Sequence, residues 1–141
     1  MRTLIVTALL AAASVVGAQE RTPSPAGAEV YIISPKNGAT VHAGKVLVQF
    51  GLKGMGIAPA GVKFDNTGHH HLLIDTEAPA DLSKPLPATD QIVHFGKGQT
   101  ETTLTTLAPG KHTLQLLLAD MNHVPFDPPV ISKKITITVV K

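Results

Sequence analysis

The stretch that decides the fold of this chain is His112-Thr113-Leu114-Gln115-Leu116-Leu117-Leu118-Ala119. Within it, Leu114, Leu116 and Leu118 occupy alternate positions, so in an extended chain they fall on one face. Alternation with a period of two is typical of a strand, whereas a helix repeats its apolar residues every three or four positions. The stretch therefore predicts a β-strand with one face packed against a hydrophobic core.

Six further β-rich runs occur in the chain, each bounded by residues that favour turns, such as Asn37-Gly38 and Pro109-Gly110. No helical pattern of useful length follows the first 18 residues. We label the seven predicted strands A to G in chain order, at 29–34, 45–52, 69–75, 91–95, 100–107, 112–119 and 130–140. Seven short strands in about 110 residues predict an all-β fold, a seven-stranded antiparallel immunoglobulin-like (Ig-like) β-sandwich.

The N-terminus has the pattern of an export signal. Met1-Arg2 gives a positive start, an apolar run follows, and Val16-Gly17-Ala18 offers small residues for cleavage. We therefore predict a signal peptide at 1–18 and a periplasmic or secreted protein without a membrane span after cleavage, the alternative being an uncleaved anchor. The polar, proline-containing residues 19–28 are predicted to be a flexible tether, which leaves 29–141 as the sandwich domain.

Composition restricts the classes of function. The chain has no cysteine, so an exported domain must be held by its core, and 43% hydrophobic residues make this feasible. One of the 12 basic side chains, Arg2, belongs to the signal segment, which leaves 11 against 10 acidic side chains. This balance argues against nucleic acid as a partner, because no basic stripe is present to neutralise phosphates.

The predicted sandwich brings several histidines to one end. In such folds the B–C, D–E and F–G loops meet at the same end. His69 and His71 open strand C after the B–C loop, and His94 closes strand D. His123 and Met121 lie in the F–G loop. We therefore expect these five side chains to approach one another.

Strand geometry divides the His69-His70-His71 triplet. Alternate side chains share a face of a strand, so His69 and His71 are able to cooperate while His70 points the other way. Imidazole and thioether groups are together typical copper ligands. The sequence thus predicts a metal site of His69, His71, His94 and His123, with Met121 as an axial or Cu(I) ligand, and with copper favoured over zinc.

Structural interpretations of the same residues remain open. The triplet could be a polar strand edge whose rings donate to loop carbonyls. His112, at the predicted E–F corner, is expected to be a corner residue that makes a hydrogen bond, as tyrosine does in related sandwiches. Met55 could pack its loop onto the core instead of binding metal.

Several stretches resemble a known family. Asn66 to Asp75, with its Gly-His-His-His motif, and His94 to Glu101 are similar to the bacterial exported family catalogued as a domain of unknown function, DUF4399. The resemblance continues through Leu107 to Leu116 and through Asp120 to Pro125. It implies an exported Ig-like domain and supplies no settled activity. The domain is also broadly similar to periplasmic copper-binding sandwiches of the CopC type, in architecture and ligand chemistry.

The leading functional hypothesis is a periplasmic metal-binding protein for storage, delivery or tolerance. The alternative is a metal-free Ig-like interaction module that binds an envelope protein or a cell-wall component. The hypothesis that the protein is an enzyme is the weakest, because there is no cysteine nucleophile, no serine with an adjacent histidine and no paired-carboxylate motif. Only redox chemistry at an accessible copper ion would support it.

Overall fold

The structure is a computed structural model that describes residues 20–141. The predicted signal peptide lies outside the described residues. Within them the chain forms nine β-strands and no helix: β1 Glu29–Ser34, β2 Thr40–His42, β3 Val46–Lys53, β4 Gly56–Ile57, β5 Thr67–Ile74, β6 Ile92–His94, β7 Glu101–Leu104, β8 Gly110–Ala119 and β9 Ile135–Val140. It follows that residues 20–141 contain no helix capable of crossing a membrane.

The strands form two sheets. One has three strands in the order β1-β3-β7, and the other has six, in the order β2-β9-β8-β5-β4, with β6 also paired to β5. Strands A, B and E of the prediction thus form one layer, while G, F and C form the other. This confirms the predicted all-β, Ig-like sandwich.

Three details either were not predicted or differ from the prediction. Strand D, observed as β6, pairs with β5, so it extends the sheet that contains strands C, F and G. The short strands β2 and β4 were not predicted, and they pair in parallel with β9 and β5, so the sandwich is not wholly antiparallel. Strand G is interrupted: Ile131 forms an isolated bridge with Leu117, and the regular strand begins only at Ile135, since the Leu116 N–H is bonded to the Ser132 hydroxyl instead of a backbone carbonyl.

Two apolar clusters follow from the alternation of side chains. The main core lies between the sheets and contains Leu114, Leu116 and Leu118 of β8, all fully buried. The second cluster lies on the outer face of the six-stranded sheet. It comprises Leu73, Leu86, Ile92, Leu117 and Ala119, with Ala78 and Leu82 packed against it. Three of these residues belong to the long connection at 75–91, which therefore covers part of that outer face.

The N-terminal segment, residues 20–28, was predicted to belong to a flexible tether. In the structure it makes specific contacts with the loop between β8 and β9. Pro23 forms a parallel bridge with Asp127, and the Arg21 guanidinium lies 3.5 Å from the Asp127 carboxylate. The described part of the predicted tether is thus bound to the domain through this loop.

Candidate metal centre

Strand β5 divides the histidine triplet between the two faces of its sheet, as alternation predicts. His70 points into the main core, where its ring centroid lies 5.0 Å from that of Phe50. His69 and His71 point to the outer face, with their ring centroids 4.9 Å apart. All three side chains are about 1% exposed. The outer pair therefore borders the second apolar cluster.

Gly68 explains why the triplet is preceded by glycine. A Cβ atom at this position would lie 2.6 Å from the Ala119 carbonyl oxygen and 2.8 Å from the Phe126 ring. Only a residue without a side chain allows β5 and β8 to pair this closely. The close pairing continues along the strand, with His69 opposite Ala119 and His71 opposite Leu117.

His94 and His123 complete a group of four rings. His94 ends β6 and is the cross-strand partner of His71, so both side chains lie on the outer face. His123 comes from the β8–β9 loop, and its Nε2 atom lies 3.2 Å from Nε2 of His94. The four ring centroids lie between 4.6 and 6.0 Å from one another.

Three of the four rings approach a metal-binding arrangement. One ring nitrogen each from His69, His94 and His123 lie within 4.8 Å of one another. Zinc–imidazole bonds of 2.0–2.1 Å place neighbouring ligand nitrogens about 3.3 Å apart in a tetrahedral site. The separation between His94 and His123 already matches this value. The third ligand nitrogen, from His69, lies within 4.8 Å of the other two, and His71 borders the group as a fourth imidazole.

Burial favours the neutral form of three of these imidazoles. Desolvation, with smaller contributions from neighbouring histidines, lowers the pKa of His69 from 6.5 to about 4 and that of His71 to about 3. The pKa of His94 is lowered by the same two causes. Because only a neutral imidazole has a free lone pair for a metal ion, this environment keeps the rings competent to bind metal at neutral pH.

The ring nitrogens of His69 and His71 have no hydrogen-bond partner among the residues that the structure describes. A buried polar atom without a partner costs about 1–3 kcal/mol, so such atoms call for an explanation, one of which is a bound ion. The predicted alternative, a strand edge whose rings donate to loop carbonyls, does not fit these unpaired nitrogens. The donor set fits a metal ion that prefers nitrogen ligands, such as copper or zinc.

The nitrogens of His70 are also buried and unpaired within residues 20–141. Its ring lies against Phe50, on the opposite face from the other histidines, and burial lowers its pKa to about 4. An unpaired buried histidine is therefore tolerated at one position of this fold without a second imidazole beside it. What distinguishes His69 and His71 is that their unpaired nitrogens belong to a group of four rings.

The methionines have different surroundings. Met121 lies on the same loop as His123 and lines a cavity of about 350 Å³ together with Phe64 and Phe126. Its role as a ligand stays a prediction. Met55 packs against the main core, which agrees with the packing interpretation of this residue.

The remaining two histidines lie outside the group. His112 places its Nδ1 atom 2.6 Å from the Asp75 carboxylate and its Nε2 atom 2.7 Å from the Ala108 carbonyl. Hydrogen bonding to Asp75, the largest cause, raises the pKa of His112. This is the corner role expected for His112. His42 is exposed, and its Nδ1 atom lies 3.2 Å from the Lys141 carbonyl oxygen.

Sequence reasoning missed the residues that support the ligands. A Cβ atom at Gly96 would lie 2.3 Å from Cε1 and 2.5 Å from Nε2 of His94, so Gly96 leaves room for that ring. The Asp120 carboxylate accepts the N–H groups of Asn122 and Val124 and closes the turn that carries His123. The Asp120-x-Asn122 pattern is a signal for such a turn. No pattern in the sequence indicates that a side chain at position 96 would collide with the His94 ring.

Fold and site together define a small β-sandwich with four clustered imidazoles on one sheet face. The family model of DUF4399, a domain of unknown function, matches residues 48–140, which include all four histidines. The chain belongs to this family, as the resemblance implied. A comparison with curated proteins finds no match.

Two solved structures are similar to the chain. The fibronectin(III)-like modules of Clostridium thermocellum CbhA share 15% identity at a TM-score of 0.49, over 78% of this chain and 93% of that one. The PKD domain of human KIAA0319 shares 14% identity at a TM-score of 0.39, over 90% and 91%. Both TM-scores lie below 0.5, so neither likeness adds to what the strand topology shows about the fold.

Proposed function

We propose that this protein binds a metal ion through the four-histidine group, with copper ahead of zinc, and serves in metal storage, delivery or tolerance. The observation that carries the proposal is the group of four clustered imidazoles, two of which are fully buried, with ring nitrogens that have no partner within residues 20–141. The export signal predicted from the sequence supports a periplasmic or extracellular location for this activity.

The chemistry of the donors favours copper. At a site of given nitrogen ligands, divalent copper binds more tightly than zinc, following the general order of affinities for first-row metals. A set of neutral imidazoles also accepts Cu(I). His94 and His123 are half-buried, whereas His69 and His71 are fully buried, so the ion would reach the site from the side of His94 and His123. When bound, the ion would supply the missing partners of the buried nitrogens.

Titration of the chain from Gln19 to Lys141 with Cu(II) and with Zn(II) tests the proposal. We expect one equivalent of metal to bind, Cu(II) more tightly than Zn(II), with an increase in thermal stability that a chelator reverses. The control is the same titration in concentrated urea, where the histidines are present but no longer clustered. Equal affinity of the folded and unfolded chains would rule out a site built by the fold.

A second prediction concerns Gly96. We expect Gly96→Ala to weaken Cu(II) binding by about tenfold or more, the scale seen when support of a ligand is lost, because the new methyl group displaces the His94 ring. Gly56→Ala is the matched control, since its Cβ would meet only a Thr67 methyl group at 3.3 Å. Calorimetric affinities of the two variants provide the comparison, and equal losses in both would contradict a specific role for Gly96.

The second candidate function is a metal-free interaction module for an envelope protein or cell-wall component. The observation in its favour is that Ile33 and Leu47, on the three-stranded sheet that does not contain the histidines, are 41% and 43% exposed. A partner that binds through this sheet would bind equally well in the presence of a chelator. Metal dependence thus separates the two functions.

A further inference from the structure

The four clustered histidines are not held equally. His69, His71 and His94 lie in paired strands, where the ladder fixes the backbone. His123 lies in the β8–β9 loop and has a positive φ of 67°, a conformation that few residues other than glycine adopt. Its position therefore depends on the contacts that shape this loop.

Asp120 is the centre of those contacts. Its side chain is buried, and Oδ1 accepts the N–H groups of Asn122 at 2.9 Å and Val124 at 3.0 Å. Its backbone carbonyl accepts the His123 N–H at 2.9 Å. The opposite side of His123 is held as well, because its carbonyl accepts the N–H of Leu86 at 2.8 Å. The loop thus presents His123 in one backbone conformation.

The second carboxylate oxygen of Asp120 is satisfied by the N-terminal segment. The Thr22 hydroxyl donates to Oδ2 of Asp120 at 2.7 Å. The Thr22 backbone is fixed in turn, since its carbonyl accepts the Asp127 N–H at 2.9 Å. The neighbouring Arg21 donates to the Pro125 carbonyl at 3.0 Å and also to that of Phe126. A hydroxyl that is 98 residues distant in sequence therefore completes the turn that carries a candidate ligand.

We infer that Thr22 is a positioning residue of the metal centre, because its hydroxyl holds the Asp120 carboxylate that shapes the loop presenting His123. This inference rests on the proposed function. Removal of the hydroxyl takes this donor away from Oδ2 of the largely buried Asp120 side chain, which weakens the turn. The N-terminal segment then has a role in metal binding, although none of its side chains is a ligand.

Substitutions that differ by a single group test this role, with Cu(II) alone as the probe. In the chain from Gln19 to Lys141, Thr22→Val is expected to weaken Cu(II) binding about tenfold, while Thr22→Ser, which keeps the hydroxyl, binds as the unaltered protein does. Ser24→Ala is the matched control, because its hydroxyl donates to the Pro128 carbonyl and not to Asp120. In a His123→Ala background, Thr22→Val is expected to cause no further loss, since the effect acts through His123.

A metal-free measurement separates this inference from the proposed function. Amide hydrogen exchange at Asn122 and Val124 is expected to become faster in Thr22→Val and to stay unchanged in Ser24→Ala, because both N–H groups are bonded to Asp120. Failure of the unaltered protein to bind Cu(II) would overturn the proposed function. Unchanged exchange in Thr22→Val, or an equal loss of affinity with and without His123, would overturn the role of Thr22.

Discussion

A variant that carries both His69→Ala and His71→Ala is expected to lose specific Cu(II) binding. Removal of a residue that supports a ligand lowers metal affinity by up to roughly 100-fold. The loss of Cu(II) affinity should be larger here, because two direct ligands disappear. Only His94 and His123 would remain, on the half-buried side of the group. Competition titration against a chelator of known affinity measures the change.

The matched control for this variant is provided by the residue between the two. His70 belongs to the same strand and is equally buried, but its ring faces Phe50 in the main core. We expect His70→Phe to keep full Cu(II) affinity and to raise the free energy of unfolding, because an apolar ring replaces two buried nitrogens that have no partner in the described part of the chain. Equal loss of Cu(II) binding in the two variants would show that the triplet acts as a packed strand and not as a pair of ligands.

Alternation of side chains is the reason that the sequence predicted so much of this site. A period of two in β8 identifies the main core, and the same rule, applied to the triplet, separates His70 from His69 and His71 on sequence alone. The loop connections of a sandwich then placed His94 and His123 near the pair. The first two steps depend on local geometry that every β-strand shares, and the third depends on loop connections that such sandwiches share.

The remaining features depend on contacts between distant residues, and no local pattern encodes them. β6 pairs with β5 instead of extending the other sheet, and this pairing is what places His94 directly opposite His71. The contact between Thr22 and Asp120 spans 98 residues, and the composition of the N-terminal segment suggested only a tether. Clearance for a ring, as at Gly96, is likewise a property of packing and not of sequence spacing.

The second large effect is expected in acid, where the metal-free protein should lose stability. His69 and His70 have pKa values lowered by burial to about 4, and His71 to about 3, whereas unfolded histidines titrate near 6.5. Below pH 6.5 the unfolded chain binds more protons than the folded one, so the free energy of unfolding falls as the pH decreases. Each unit of pH below 6.5 costs about 1.4 kcal/mol per buried histidine until the folded pKa is reached.

Two groups bear on this dependence on pH. The Asp120 carboxylate raises the pKa of His69, although burial and the neighbouring histidines outweigh it. His112 acts in the opposite direction, because its pKa is raised in the folded protein. Its contribution to stability is fully present below pH 6.5 and is lost as the pH rises through the pKa of the folded state. Between pH 6.5 and 4 the contribution of His112 is therefore constant, and the histidines with lowered pKa values determine the slope. Since small domains have about 5–15 kcal/mol of stability in total, we expect unfolding between pH 6.5 and 4.

Urea denaturation of the metal-free chain at a series of pH values from 7.5 to 4 measures this effect. His70→Phe removes one titrating group that is not one of the four clustered rings. The slope of its unfolding free energy against pH should therefore be smaller, by the equivalent of up to one proton. Its stability should exceed that of the unaltered protein most at the acid end. A stability that stays constant between pH 6.5 and 4.5 would mean that the buried rings take up protons as readily as unfolded ones, and hence that burial does not keep them neutral.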